Sequence, residues 1–159
     1  MRHRAVGLVR YETYALTPPL PPVPHAQLKQ SILTIVRAGI AAADPTSSVE
    51  RALSTDDVRA FRRVRVVAAG KAALAMASGA HRVLGSRLTG GVVIAPGASH
   101  ASPPLQTIQA EHPQPGAGSA RAGLAALATA RDAEADELLL VLVSGGASSL
   151  MAVPAAALA

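Results

Sequence analysis

Four short apolar runs alternate with alanine-rich stretches between residues 64 and 143, and this alternation limits the chain to α/β folds. The runs occupy residues 64–69, 91–95, 107–110 and 138–143. The alanine-rich stretches 72–84 and 119–131 are predicted to be helices. Nearly continuous apolar strands are typical of parallel strands that helices cover on both faces. We therefore predict a mostly parallel, Rossmann-like sheet with helices on both faces, in which the strand 138–143 is buried on both sides.

The first 60 residues are predicted to contribute a leader and two helices. Apolar residues recur at helical spacing over 26–43, and Pro45 should end this amphipathic helix because the residue before a proline avoids the helical region. A shorter helix is predicted over 46–53. Residues 1–24 include five prolines within seven positions, so we expect a flexible leader rich in proline and arginine. Residues 25–159 then form the α/β part.

Composition excludes several classes of protein. The chain has 159 residues and no cysteine, which rules out a disulfide framework and thiolate metal sites. Aromatic residues make up only 2%, too few for a base-stacking nucleic-acid platform. The net charge of +5 lies entirely in residues 1–65, and thirteen of the fifteen basic residues are arginines, which favours a solvated surface over a nucleic-acid interface.

No apolar run is long enough to cross a membrane. Arg10 and Glu12 interrupt the apolar stretch near the N-terminus, which argues against a signal peptide. We expect a cytoplasmic protein, with a transit peptide, a loose leader or a misplaced start codon as the alternatives for residues 1–24.

Three turns that follow predicted strands carry the polar chemistry, at the sheet edge where α/β proteins bind ligands. In the first, Gly70 and Lys71 follow the strand directly, and a lysine beside a helix N-terminus favours anion binding. This turn is not a Walker P-loop, because Arg65 and Ala72 occupy positions that need Gly and Ser or Thr. A GxGxxG dinucleotide fingerprint is also absent.

The other two turns are SGGASS at 144–149 and HPQPG at 112–116. The glycines of the first let a backbone approach a phosphate or carboxylate, and its hydroxyls offer donors. A plain strand-to-helix turn with a serine N-cap is the alternative. His112 could orient a substrate oxygen or transfer a proton, or it could simply bond a loop carbonyl. The histidines show no metal-ligand spacing with acids.

Five motifs in order resemble the class II glycerate kinases, the ATP-dependent glycerate 2-kinases that carry a MOFRL domain. They are ADP at 43–45, VVAAGKA at 66–72, GGVVIAPG at 90–97, EHPQPG at 111–116 and LVSGGASSLM, which ends at residue 151. The resemblance implies phosphorylation of D-glycerate at its 2-hydroxyl, with ATP and Mg²⁺ or another divalent metal. It implies that Lys71 is the active-site lysine.

The resemblance also assigns substrate or phosphate binding to residues in all three turns. The residues are Gly70, His112, Ser144, Gly145, Gly146 and Ser148, and Ser149 joins them as a third hydroxyl of the SGGASS turn. The implied partners are D-glycerate and ATP, with no nucleic acid and no membrane, and a homodimer is left open. No residue is assigned to the metal.

The chain departs from the family pattern in sequence and in length. Ala68 and Ala147 replace glycines, and Gly116 stands where an acid is usual, so the role of that carboxylate is open. Family members continue further, so we expect the chain to be an incomplete N-terminal part of a larger domain, without the MOFRL domain and inactive alone. The alternatives are a hydroxypyruvate reductase, which the missing fingerprint disfavours, and a non-catalytic binding remnant.

Overall fold

The computed structural model describes residues 24–155. The predicted leader 1–24 lies outside them except for Pro24. The chain divides into two compact units, Met1–Ala38 and Gly39–Ala159. The helices are α1 His25–Ala42, α2 Pro45–Leu53, α3 Asp56–Arg59, α4 Ala73–Leu84, α5 Ala117–Arg131 and α6 Ala147–Leu150. The strands are β1 Arg63–Ala69, β2 Leu88–Ala95, β3 Leu105–Gln109 and β4 Glu137–Val143.

Helices α1 and α2 form where the sequence predicted them. The side chain of Asp44 accepts a hydrogen bond of 2.8 Å from the N–H of Ser47, which caps α2, and Pro45 occupies its first turn. Helix α1 contains no buried residue. Among the residues that the structure describes, no helix combines the length and the apolar character that a bilayer crossing requires.

The four strands form one parallel sheet in the order β3-β2-β1-β4. After β1 the chain adds β2 and β3 on one side and then returns to place β4 on the other side. The strand order therefore reverses between β1 and β4. In open α/β sheets, such a switch point opens a crevice at the carboxyl ends of the two strands. The predicted parallel α/β fold is confirmed.

Alternate residues of β1 face two separate cores, as expected for a strand with helices on both sides. Val66 and Ala68 pack in the core that contains α2 and α4. Val67 and Ala69 pack in the core that contains α5 and α6. Because both faces are covered, β1 holds the turn at its end rigidly.

The prediction that the strand at 138–143 is buried on both faces was wrong. Val141 is 51% exposed and Val143 is 61% exposed. Within residues 24–155, β4 pairs only with β1 and forms an edge of the sheet. Helix α5 packs mainly over β1, β2 and β3, so the outer residues of β4 lie beyond its cover.

The amino-terminal edge of the sheet carries ion pairs between β1 and the segment that leads into β4. Arg63 contacts Glu134 at 2.5 Å, and Arg65 contacts Glu137 at 2.8 Å. Burial raises the pKa of Glu137, but hydrogen bonds from Thr89 and Arg65 outweigh it and leave the pKa below its ordinary value. These pairs lie at the edge opposite to the predicted ligand-binding turns.

Candidate functional site

Two of the predicted turns meet at the switch point and are held together by backbone hydrogen bonds. The N–H of Ser144 donates to the carbonyl of Ala69 over 2.9 Å, and the N–H of Lys71 donates to the carbonyl of Gly145 over 2.9 Å. These bonds extend the β1–β4 pairing by one step on each strand. The Gly70–Lys71 turn and the SGG turn, residues 144–146, therefore form a single unit.

The side chain of Lys71 lies over the SGG turn. A Cβ atom placed on Gly146 would lie 3.7 Å from Cε of Lys71, and one placed on Gly145 would lie 3.8 Å from it. Lys71 itself is exposed. Within the described residues, the N–H groups of Gly145 and Gly146 make no hydrogen bond to protein. The Lys71 side chain and two backbone N–H groups without a protein acceptor thus lie close together, an arrangement suited to phosphate or carboxylate oxygens.

The imidazole of His112 packs directly on Gly146. A Cβ atom on Gly146 would lie 2.7 Å from Cδ2 and 2.8 Å from Nε2 of the ring. Gly146 also has φ +93°, a left-handed conformation that favours glycine. The HPQPG turn that follows β3 therefore reaches across to the turn that follows β4, and His112 joins Lys71 beside the same backbone donors.

The hydroxyl groups of the SGGASS turn serve mainly the turn itself. The Oγ atom of Ser144 accepts the N–H of Ala72 over 3.0 Å, and Ser149 Oγ donates to the carbonyl of Gly146 over 3.1 Å. Ser148 is exposed on α6. The N-cap of α6 is Gly146, so neither Ser148 nor Ser149 caps that helix. Of the three hydroxyls, that of Ser148 is the one without a bond among the described residues.

Sequence reasoning missed the part played by Glu111. Its carboxylate accepts the N–H groups of Gly118 at 3.1 Å and Ser119 at 2.8 Å, in the first turn of α5. The N-cap residue of α5, Gly116, has no side chain with which to cap the helix. Since Glu111 lies seven and eight residues before its partners, no local capping pattern in the sequence signals this contact.

Glu111, His112 and Arg121 line one cavity of about 420 Å³ beside the site, together with Pro96 and Gln109. The cavity opens at the carboxyl ends of β2 and β3, next to the turns already described. The histidine of the loop before β3, His100, lies outside this cavity, and His81 contacts the carbonyl of Pro103 at 3.1 Å.

The ionised form of Glu111 is expected to stabilise the fold. Hydrogen bonds from the N–H groups of Gly118 and Ser119 hold the pKa of Glu111 below its ordinary value of 4.5. A lowered folded-state pKa contributes stability that is complete above the unfolded value and is lost as the pH falls through the folded value. Urea unfolding between pH 3 and pH 7, compared between wild type and Glu111→Gln, should therefore show a smaller fall in stability below about pH 4.5 in the variant. Equal pH profiles would contradict this assignment.

The two glycines of the SGG turn should respond differently to alanine. Gly146→Ala adds left-handed strain and forces the His112 ring away, so we expect it to destabilise the fold by about 1–3 kcal/mol. Gly145→Ala meets only an ordinary contact with Lys71 and should change stability by less than about 1 kcal/mol. Chemical denaturation of both variants measures the difference. Equal losses would mean that His112 does not pack against Gly146.

Among the side chains that the structure describes, no three or more His, Asp or Glu form a group that could hold a metal ion. The carboxylate of Glu111, which lies directly before His112, is engaged by α5. The described residues therefore offer no site that would hold a divalent metal through protein side chains alone.

Comparison with known proteins places this arrangement in a family. Residues 31–159 match the family described as "Domain of unknown function (DUF4147)". The chain belongs to the DUF4147 family. It is 32% identical to the D-glycerate 2-kinase of Thermotoga maritima over 130 residues, which cover 80% of this chain and 30% of that protein. The crystal structure of glycerate kinase from Thermotoga maritima matches with a TM-score of 0.75 at 29% identity, covering 84% of this chain and 32% of that one.

The resemblance to the glycerate kinases that the sequence motifs indicated is thereby confirmed. A protein of Agrobacterium vitis that carries the name hydroxypyruvate reductase is 39% identical over 95 residues, covering 59% of this chain and 25% of that protein. The chain spans less than a third of the length of each of these three relatives.

Proposed function

We propose that this chain forms the anion-binding part of a cytoplasmic glycerate 2-kinase, which transfers the γ-phosphoryl group of ATP to the 2-hydroxyl of D-glycerate. The observation that carries the proposal is the junction of Lys71 with the SGG turn at the switch point, through the Lys71–Gly145 and Ser144–Ala69 bonds. The relatives named glycerate kinase support the same reaction.

In the proposed reaction, the 2-hydroxyl oxygen of glycerate forms a bond to the γ-phosphorus of ATP. The bond to the bridging oxygen breaks, ADP leaves, and the hydroxyl proton is released. The protein's part in such a transfer is positioning and charge neutralisation. Lys71 and the N–H groups of Gly145 and Gly146 would bind phosphate or carboxylate oxygens. His112 would orient the hydroxyl of glycerate or accept its proton.

Kinases commonly neutralise transferred phosphates with a divalent metal as well. The described side chains form no metal-binding cluster, so no residue among them is proposed as a ligand of the metal.

The chain offers a direct test of ligand binding, because Lys29 and Lys71 are its only lysines. Reductive methylation with ¹³C-formaldehyde gives each lysine a separate NMR signal and keeps its positive charge. We expect ATP, inorganic phosphate or 2-phosphoglycerate to shift the Lys71 signal in a saturable way and to leave the Lys29 signal in place. Shifts of equal size at both lysines would reveal non-specific charge binding and would overturn the proposed site.

The relative named hydroxypyruvate reductase makes a second function worth testing. That reaction needs a bound nicotinamide cofactor, and the turn after β1 reads Gly70-Lys71-Ala72, without the GxGxxG fingerprint. We expect no change in NADH or NADPH fluorescence on titration with the protein. Saturable binding of either nucleotide would favour the reductase over the kinase.

A further inference from the structure

We infer that Glu111 is a positioning residue, which holds the imidazole of His112 against the SGG turn by anchoring the HPQPG turn to α5. The inference rests on the proposed function only in treating this place as an active site. The contacts on which it is based are made by the ends of β2 and β3 and by helix α5.

Residues on both sides of His112 are held in place. Before it, the N–H of Ala110 donates to the carbonyl of Ala95 over 3.1 Å, which ties the end of β3 to the end of β2. Directly before His112, the Glu111 carboxylate is bound by the first turn of α5. After it, the N–H of Gly116 donates to Ser119 Oγ over 3.2 Å. The segment 111–116 is therefore a short loop that is closed at both ends on α5.

Ser119 connects the two ends of this loop. It is fully buried, and its Oγ lies 3.1 Å from the Glu111 carboxylate and 3.3 Å from the Glu111 carbonyl oxygen. Hydrogen bonds to an ionised acceptor are the stronger kind, so the carboxylate is the main attachment of the loop. If it were removed, the first turn of α5 would lose three bonds, and the loop would keep the Gly116–Ser119 bond and the longer bond from Ser119 Oγ to the Glu111 carbonyl.

Gly116 and Gly118 leave room for the carboxylate of Glu111, because they have no side chains. A Cβ atom on Gly116 would lie 2.8 Å from Cδ of Glu111, and one on Gly118 would lie 2.7 Å from Oε2. The acid that sequence analysis found lacking at position 116 is thus compensated in space, because Glu111 supplies a carboxylate at the same helix end. With its N–H groups engaged by Glu111, that helix end is not free to bind a substrate anion in competition with Lys71.

Nothing in these contacts involves Lys71, so the inference can be tested apart from catalysis. The test uses the ¹⁵N-labelled chain, with the His112 imidazole signals assigned by a His112→Asn variant. In Glu111→Ala, we expect those signals to move and broaden. We also expect the affinity for inorganic phosphate, read from the ¹³C-methyl signal of Lys71, to fall about tenfold.

Glu134→Ala is the matched control. Glu134 also has a pKa below its ordinary value, caused by the hydrogen bond from Arg63, but it lies at the opposite edge of the sheet. The Glu134→Ala variant should be less stable than wild type, but its His112 signals should not move. If Glu111→Ala shifts the His112 signals no more than Glu134→Ala does, Glu111 is only a stabilising cap and the inference is wrong.

Two more variants keep the test decisive if Glu111→Ala does not fold. Glu111→Gln keeps the volume of the side chain but weakens the bonds to α5, and it should shift the His112 signals in the same direction. The double variant Glu111→Gly with Gly116→Asp moves the carboxylate back to the helix N-cap and should restore the wild-type His112 signals. Failure of both would overturn the inference. Absence of phosphate binding at Lys71 in the wild-type chain, with His112 signals that still move in Glu111→Ala, would count against the proposed function alone.

Discussion

Replacing Lys71 with alanine is expected to reduce ATP-dependent phosphorylation of D-glycerate by about 10³-fold or more. The substitution removes the ammonium group that lies over the SGG turn, beside the N–H groups of Gly145 and Gly146. The charge that develops on the transferred phosphoryl group would then lack this positive charge. The loss of activity is measured by monitoring the formation of 2-phosphoglycerate with ³¹P NMR. The assay uses wild-type and variant polypeptides purified from the protein's own cells.

Two variants sharpen this prediction. Lys29→Ala removes the other lysine of the chain, in helix α1, and should leave turnover unchanged. Lys71→Arg keeps the positive charge but replaces a compact ammonium with a planar guanidinium, so we expect this variant to retain only part of the wild-type activity. Turnover by Lys71→Ala within threefold of wild type would show that Lys71 is not the active-site lysine.

Gly70→Ala is expected to destabilise the folded state by about 3 kcal/mol or more, the largest loss of stability that we predict for a single methyl group. Gly70 has φ +123°, which disfavours any side chain. A Cβ atom there would also lie 2.6 Å from the carbonyl oxygen of Ser144 and 2.8 Å from its carbonyl carbon. Neither backbone can move away easily, because Ser144 and Lys71 bond the two turns together. Urea unfolding followed by circular dichroism gives the change in free energy.

Alanine substitutions at two other glycines distinguish backbone strain from steric clash as the cause of the stability loss in Gly70→Ala. Gly85 has φ +53° and open space around its Cβ position, so Gly85→Ala reports left-handed strain without a clash and should cost about 1 kcal/mol. Gly97 has open space and no positive φ, so Gly97→Ala should stay within about 0.5 kcal/mol of wild type. A loss in Gly70→Ala no larger than that in Gly85→Ala would mean that the β1 and β4 turns are not in close contact.

Much of this architecture could be predicted from local sequence. Each apolar run became a strand, and helices α1, α2, α4 and α5 began and ended within two residues of their predicted limits, because periodicity and proline act over short distances. Gly70, Lys71, His112 and the SGG turn were expected at one edge, since parallel strands bring their carboxyl ends together. The structure places them there and packs the His112 ring against Gly146.

Other features depend on contacts that no local pattern encodes. The exposure of Val141 and Val143 follows from the edge position of β4, which is a property of strand order rather than of the run LLLVLV. The hydroxyl of Ser144 looked like a donor for a ligand, but it accepts a backbone N–H from a turn 72 residues earlier. Sequence analysis gave Glu111 no role, whereas in the structure the first turn of α5 binds its carboxylate.

The α/β class, the secondary structure and the residue types that can bind an anion follow from local sequence, because these depend on short-range backbone preferences and side-chain chemistry. Which of those residues lie side by side depends on the tertiary structure. Strand order puts the switch point between β1 and β4, and close packing at Gly70 and Gly146 brings Lys71 and His112 to one turn. Such contacts join residues that are 34 to 75 positions apart in the chain, as between His112 and Gly146 or Ala69 and Ser144, and folding alone brings them together.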